Sequence, residues 1–172
     1  AIGEDALAAN TATSCTAFGY QALKLNTTGI YNTAVGAGAL AANTTGASNI
    51  GIGASALAAN SIGSFNTALG AAALTSNTSG NYNVAIGADA LATNSTGAGN
   101  VAVGYQSLRL NTIGVGNVAV GNEALESNTT GISNTAIGYR SMAVNTVGYG
   151  CTAVGYQALL NNTTGRYNVA VG

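Results

Sequence analysis

Few residues in this sequence could do chemistry. General acid–base work needs titratable groups held side by side, and the closest carboxylate pairs are Glu4/Asp5 and Glu123/Glu126. There is no His, which removes a Ser-His-Asp triad and metal sites of the His/Cys type. Cys15 and Cys151 are the only thiols. None of the 25 glycines is followed by Lys-Ser/Thr, the ending of a phosphate-binding loop. Asn26, Asn43, Asn77, Asn94, Asn128 and Asn162 open runs that match a glycosylation sequon, but the runs recur at a fixed interval and read as a repeated turn. The expectation is a protein that is not an enzyme and carries no cofactor and no metal.

Composition points away from an ordinary globule. Four Lys+Arg and five Asp+Glu make 5% of the chain, against about a quarter in a typical domain. Disorder is also disfavoured, because 47% of residues are hydrophobic and the net charge is −1, the opposite of the disordered signature. Four scattered positive charges form no basic patch, so nucleic acid is not an expected partner. No apolar run nears the ~20 residues of a membrane helix, so this segment is not expected to insert into a membrane. There is no signal-peptide pattern. The chain starts and stops in mid-repeat, which suggests a piece of something longer.

The element that positions these residues is a 17-residue repeat. Asn32, Asn49, Asn66, Asn83, Asn100, Asn117 and Asn134 follow one another at that interval, with Cys15 before them and Cys151 and Asn168 after. Counting from this residue as slot 1, the unit reads N-[TV]-A-[VIL]-G-x-x-[AS]-L-x-x-N-[TS]-x-G-x-x. The whole chain is one repeat domain: residues 1–14 are a partial copy, 15–167 are nine full copies and 168–172 are a second partial copy. Every charged residue falls in slot 6, 7, 10 or 16, so those slots face water. Slots 2 to 4 are rich in β-branched residues and suit a short strand ended by the Gly of slot 5. A second extended piece is expected at the Ala-Leu pair of slots 8 and 9, and a turn over slots 12 to 15. Two Gly and two Asn per unit rule out a helix. Such spacing predicts an all-β fold, a parallel β-solenoid (β-roll) of about ten coils with one repeat per coil.

On this reading Asn10, Asn26, Asn43, Asn60, Asn77, Asn94, Asn111, Asn128, Asn145 and Asn162 of slot 12 stack into a structural amide ladder, joined by the Asn of slot 1. Slots 2, 4, 9 and 14 are expected to be buried, which places Val35, Leu40, Ile52, Leu57, Ile86, Leu91, Val103, Leu108, Val120 and Leu125 in the core. Slot 3 would then point outward, yet it is Ala in every copy except Gly51. A face kept this small implies close approach by another surface, and hence a homo-oligomer packed lengthwise, most simply a parallel trimer. The alternative is that slots 3 and 8 line a narrow interior. Cys15 and Cys151 are eight coils apart, too far for a disulfide within one rod. They replace Asn in slot 1, and a bond between neighbouring chains stays open. Tyr20, Tyr105, Tyr139 and Tyr156 in slot 6 are candidate surface contacts for a glycan or protein receptor. Covering a Gly-rich corner or a chain–chain seam is the competing role for them.

Asn32-Thr33-Ala34-Val35-Gly36 and Asn134-Thr135-Ala136-Ile137-Gly138 resemble the head repeats of YadA-like trimeric autotransporter adhesins. The run from Ala153 to Gly165 is similar to repeats in phage and large-virus tail-fibre-like proteins. The resemblance implies a left-handed roll, three chains side by side, and display outside a cell or on a virion surface for attachment. No binding residue is carried over, because the matched motif residues are structural. Two further functions compete with that of a non-enzymatic adhesive rod. One is an extracellular structural filament of rods stacked end to end as a polymer. The other is ice binding through the Thr/Ser column of slot 13, which Gly in slot 15 disfavours by removing the second column.

Overall fold

The computed structural model describes residues 1–172, and the fold is all-β, with no helix. Ten three-residue strands recur at a constant interval: β1 (Thr16–Phe18), β2 (Thr33–Val35), β3 (Ile50–Ile52), β4 (Thr67–Leu69), β5 (Val84–Ile86), β6 (Val101–Val103), β7 (Val118–Val120), β8 (Thr135–Ile137), β9 (Thr152–Val154) and β10 (Val169–Val171). They form one sheet in sequence order. Every pair is parallel and in register, like over like, as in Ala34↔Gly51 and Ala102↔Ala119. A bridge from Ile2 to Phe18 brings the first partial repeat onto the stack. This is a parallel β-solenoid of nine 17-residue turns between its first and last strands.

Backbone hydrogen bonds between coils continue around the turns. Leu40 N–H donates to Ala56 O at 3.0 Å, and Thr44 N–H to Ser61 O at 2.9 Å. Within a coil, the expected second extended piece is instead a run of overlapping β-turns. Ala39 N–H donates to Gly36 O, Ala41 to Gly38 O and Asn43 to Leu40 O, at 3.3, 3.3 and 3.1 Å. The first two turns carry φ > 0 at their third residue, the mark of type II. That residue is Leu40 (φ 52°) in the second turn, and Leu57 (φ 54°), Leu74 (φ 52°), Leu91 (φ 52°), Leu108 (φ 50°) and Leu125 (φ 51°) repeat it. A left-handed Leu costs about 1–2 kcal/mol. The cost is offset by complete burial of its side chain.

The interior is narrower than the strand pattern suggests. Leu40, Leu57, Leu91, Leu108 and Leu125 are fully buried, together with the Ala of slots 3 and 8 and the Asn of slots 1 and 12 in the coils between the two ends. Val35, Ile52, Ile86, Val103 and Val120, expected in the core, lie on the outer face of the sheet. Each strand is buried only at its middle residue, and Ile52 is 36% exposed. Slot 14 is outside too, with Ile62 57% exposed. The reason is strand parity. Side chains alternate faces, and the slot 1 Asn points inward, so slot 3 follows it in while slots 2 and 4 point out. The space left is small: a Cβ on Gly51 would sit 3.3 Å from Leu40 Cγ. Slots 3 and 8 therefore line the interior instead of an interface between chains.

Candidate functional site

Two amide ladders run the length of the interior. In slot 12, Asn43 Nδ2 donates to Asn26 Oδ1 of the coil before it at 2.7 Å, and to Gly46 O within its own turn at 2.9 Å. In slot 1, Asn49 donates both its backbone N–H and its Nδ2 to Asn32 Oδ1, at 2.9 and 3.2 Å. Asn32 Nδ2 also reaches Gly46 O at 2.7 Å. The slot 15 carbonyl thus accepts from both ladders. Its residue must be Gly, because a Cβ on Gly46 would overlap Gly63 O and Asn43 Oδ1. Asn26, Asn43, Asn60, Asn77, Asn94, Asn111, Asn128 and Asn145 are fully buried, and Asn10 and Asn162 at the ends are partly so. A glycan on these amides would displace the bonds that hold the turn.

Cys15 and Cys151 fit the same scheme, because each thiol donates to the slot 15 carbonyl of its neighbourhood. Cys15 Sγ lies 3.2 Å from Gly29 O and Cys151 Sγ lies 3.3 Å from Gly165 O. Both are free, and the buried Cys151 keeps its sulfur inside the coil.

Three of the five carboxylates, Asp5, Glu123 and Glu126, face cations. Lys24 Nζ sits 2.9 Å from Asp5 Oδ2. That hydrogen bond, followed by the charge itself, holds the Asp5 carboxyl below the usual range; the same bond raises Lys24. Glu126 accepts from Arg109 Nε and Nη2 at 3.2 and 2.8 Å. Glu123 lies 3.2 Å from Arg140 Nε, close enough for attraction but not aligned for a hydrogen bond. No pocket opens on the surface, and no three His, Cys, Asp or Glu residues gather to hold a metal.

What remains on the surface runs lengthwise. Tyr20, Tyr105, Tyr139 and Tyr156 are all exposed, Tyr156 most at 68%, and the Tyr139 and Tyr156 rings stack at 5.6 Å. On the other corner of the strand, Phe65 and Tyr82 stack at 5.1 Å with planes 4° apart. The Tyr167 ring lies against Gly150, the corner-covering role for a slot 17 aromatic. In slot 13 the Thr hydroxyls donate along the stack, as Thr112 Oγ1 does to Thr129 O at 3.0 Å. The surface that sequence reasoning missed is the outer sheet face of slots 2 and 4. Its signal was the parity that slot 3 shares with the inward Asn of slot 1.

Comparisons of the chain with family models, with curated proteins and with solved structures find no match.

Proposed function

We propose that this chain is a length of rigid, non-enzymatic rod in a surface-exposed attachment fibre, an adhesin head or a tail-fibre shaft. The observation that carries the reading is the uniformity of the coils. Nine turns repeat one hydrogen-bonding scheme, and most of the groups able to do chemistry are engaged within the rod. The amides form ladders, the thiols close the same corner, and Asp5, Glu123 and Glu126 face cations. Such a stack resists bending and presents features along its length, which suits a spacer or head held away from a surface. The resemblance of its motifs to adhesin and tail-fibre repeats points the same way, and with it comes an extracellular, cell-surface or virion-surface location. Exposed Tyr supplies an apolar ring with a polar tip for a glycan or protein receptor.

The test is binding of the purified chain to a panel of cells and to a glycan array, with Tyr139→Ala/Tyr156→Ala as the comparison. Saturable binding that weakens in the double variant supports attachment. Absence of binding to every surface, with open-ended polymers in electron micrographs, would favour a structural filament instead.

A further inference from the structure

Slot 17 forms the corner just before each strand, and its residues are left-handed in every full copy, from Tyr31 at φ 58° to Tyr167 at φ 55°. The Leu of slot 9 is left-handed too, but its burial offsets the strain. Phe65 (φ 60°) and Tyr82 (φ 59°) have no such offset, since they are 53% and 65% exposed. Bulky residues seldom hold this conformation, whereas glycine holds it readily. The fold does not require a ring here, because Gly99 (φ 65°) and Gly116 (φ 68°) fill the same slot in the next two coils. Strain kept at an exposed position, where glycine serves elsewhere, needs a reason outside the fold.

The two rings lie parallel, 5.1 Å and 4° apart, so Tyr82 has one face on Phe65 and the other turned toward Gly99. That second face is bare. A Cβ on Gly99 would meet nothing within 4 Å, and one on Gly116 would meet only Ser133 Oγ at 3.8 Å. From Tyr82 to Ser133 the corner is a gap three coil steps long, roughly 14 Å at the strand spacing. Polar backbone groups border it. The N–H groups of Ala98 and Val115 and the carbonyls of Gly99 and Gly116 have no hydrogen-bond partner in the chain. Earlier in the same column, Asn81 Oδ1 takes the corresponding N–H of Ser64 at 2.7 Å. No charged residue occupies slots 16, 17, 1 or 2 of the coils around the gap.

We propose that this gap binds a neutral saccharide, with one sugar ring stacked face-on against Tyr82 above Gly99. The face of a sugar ring presents slightly positive C–H hydrogens, which suit the negative face of an aromatic ring. Its rim of hydroxyls both donates and accepts, and the border of the gap offers N–H and C=O in alternation. An aromatic side chain from a protein partner would match Tyr82 but leave those groups without partners. An acidic sugar would find no cation to pair with its carboxylate. The inference rests on the attachment reading and places a sugar contact at slot 17, on the opposite corner from the Tyr of slot 6.

Nuclear magnetic resonance of the 172-residue chain, titrated with methyl β-glucoside, methyl β-galactoside and chitotriose, tests it. The expected result is saturable binding of at least one sugar, with shifts of the Tyr82 ring and of the Ala98 and Val115 amides. Tyr82→Gly should weaken that binding about fivefold or more and leave the rod folded, as glycine does in the next two coils. Gly99→Tyr adds a third ring to the stack, fills the gap and should abolish binding. If that variant does not fold, Gly116→Tyr closes the gap from the other side, its ring lying on Gly99 as Tyr167 lies on Gly150. Failure of all three sugars to bind overturns the inference. So does binding that survives or strengthens in Gly99→Tyr, which would make any exposed Tyr as good as the gap. A chain that captures cells through Tyr139 and Tyr156 but takes no sugar here loses this site and keeps attachment. Sugar held in the gap by a chain that captures no cell keeps the site and removes the attachment role.

Discussion

The amide ladder makes the sharpest prediction, at Asn94 in the middle of the rod. Asn94 Nδ2 donates to Asn77 Oδ1 at 2.9 Å and to Gly97 O at 3.0 Å, while its Oδ1 accepts from Asn111 Nδ2 at 2.8 Å. Asn94→Ala strips Asn77 Oδ1 of its ladder donor. Gly97 O keeps Asn83 Nδ2 at 2.9 Å, and Asn111 Nδ2 keeps Gly114 O at 3.1 Å. One orphaned buried acceptor costs about 1–3 kcal/mol. Two weakened sites and the vacated volume add to it, so a loss of about 3–4 kcal/mol is expected. Asn94→Asp keeps the shape but places an acceptor oxygen against two acceptors and buries a charge, so at neutral pH it should be worse than Ala. Its carboxyl is pushed up in the fold, whereas the unfolded chain releases the proton near the ordinary value of about 3.9. Between those two points the native state holds more protons, so stability of the Asp variant falls as pH rises and returns as pH falls. Urea unfolding followed by circular dichroism at neutral and mildly acidic pH reads both effects. A lesion in mid-stack can also divide the transition into two steps, since each coil contacts only its neighbours. A cost below about 1 kcal/mol for Ala, or an Asp variant no worse than Ala and indifferent to pH, would refute the role assigned to the ladder.

Other perturbations follow from the same geometry. Gly104 has φ 131°, and a Cβ there would stand 2.5 Å from Gly121 O; Gly104→Ala should cost more than about 4 kcal/mol, read as loss of soluble folded protein or a collapsed melting temperature. Leu91→Ala empties a fully buried site and should lower unfolding stability by about 2–5 kcal/mol in the same urea assay. Ser107→Ala removes a hydroxyl bonded to Gly104 O at 3.0 Å and restores the residue found in most copies, so the change should stay within about 1 kcal/mol. The melting temperature should be flat from mildly acidic to mildly basic pH. The depressed Asp5 loses its contribution only as pH falls through the carboxylate range, and the raised Lys24 only as pH climbs past the usual lysine range. Both groups are solvent-exposed, so each change should be slight.

Periodicity by itself determined most of the architecture. A constant interval between slot 1 residues leaves little besides coils stacked like over like, and the confinement of charge to four slots marks the solvent side without coordinates. The Asn of slots 1 and 12 were legible as ladders because a buried amide needs partners, and its own copies in adjacent coils are the nearest. Two things only the tertiary structure decided. The Leu of slot 9 sits in a left-handed turn, a conformation its residue type disfavours and that only burial in the interior sustains. The strand faces are reversed from a hydrophobicity reading. Val, Ile and Leu in slots 2 and 4 are the more apolar residues, but the inward amides of slot 1 set the parity, and Leu40 and its equivalents already fill the space across from slot 3. In a coil this thin, size rather than hydrophobicity chooses what goes inside, so Ala is buried and Val is left on the surface.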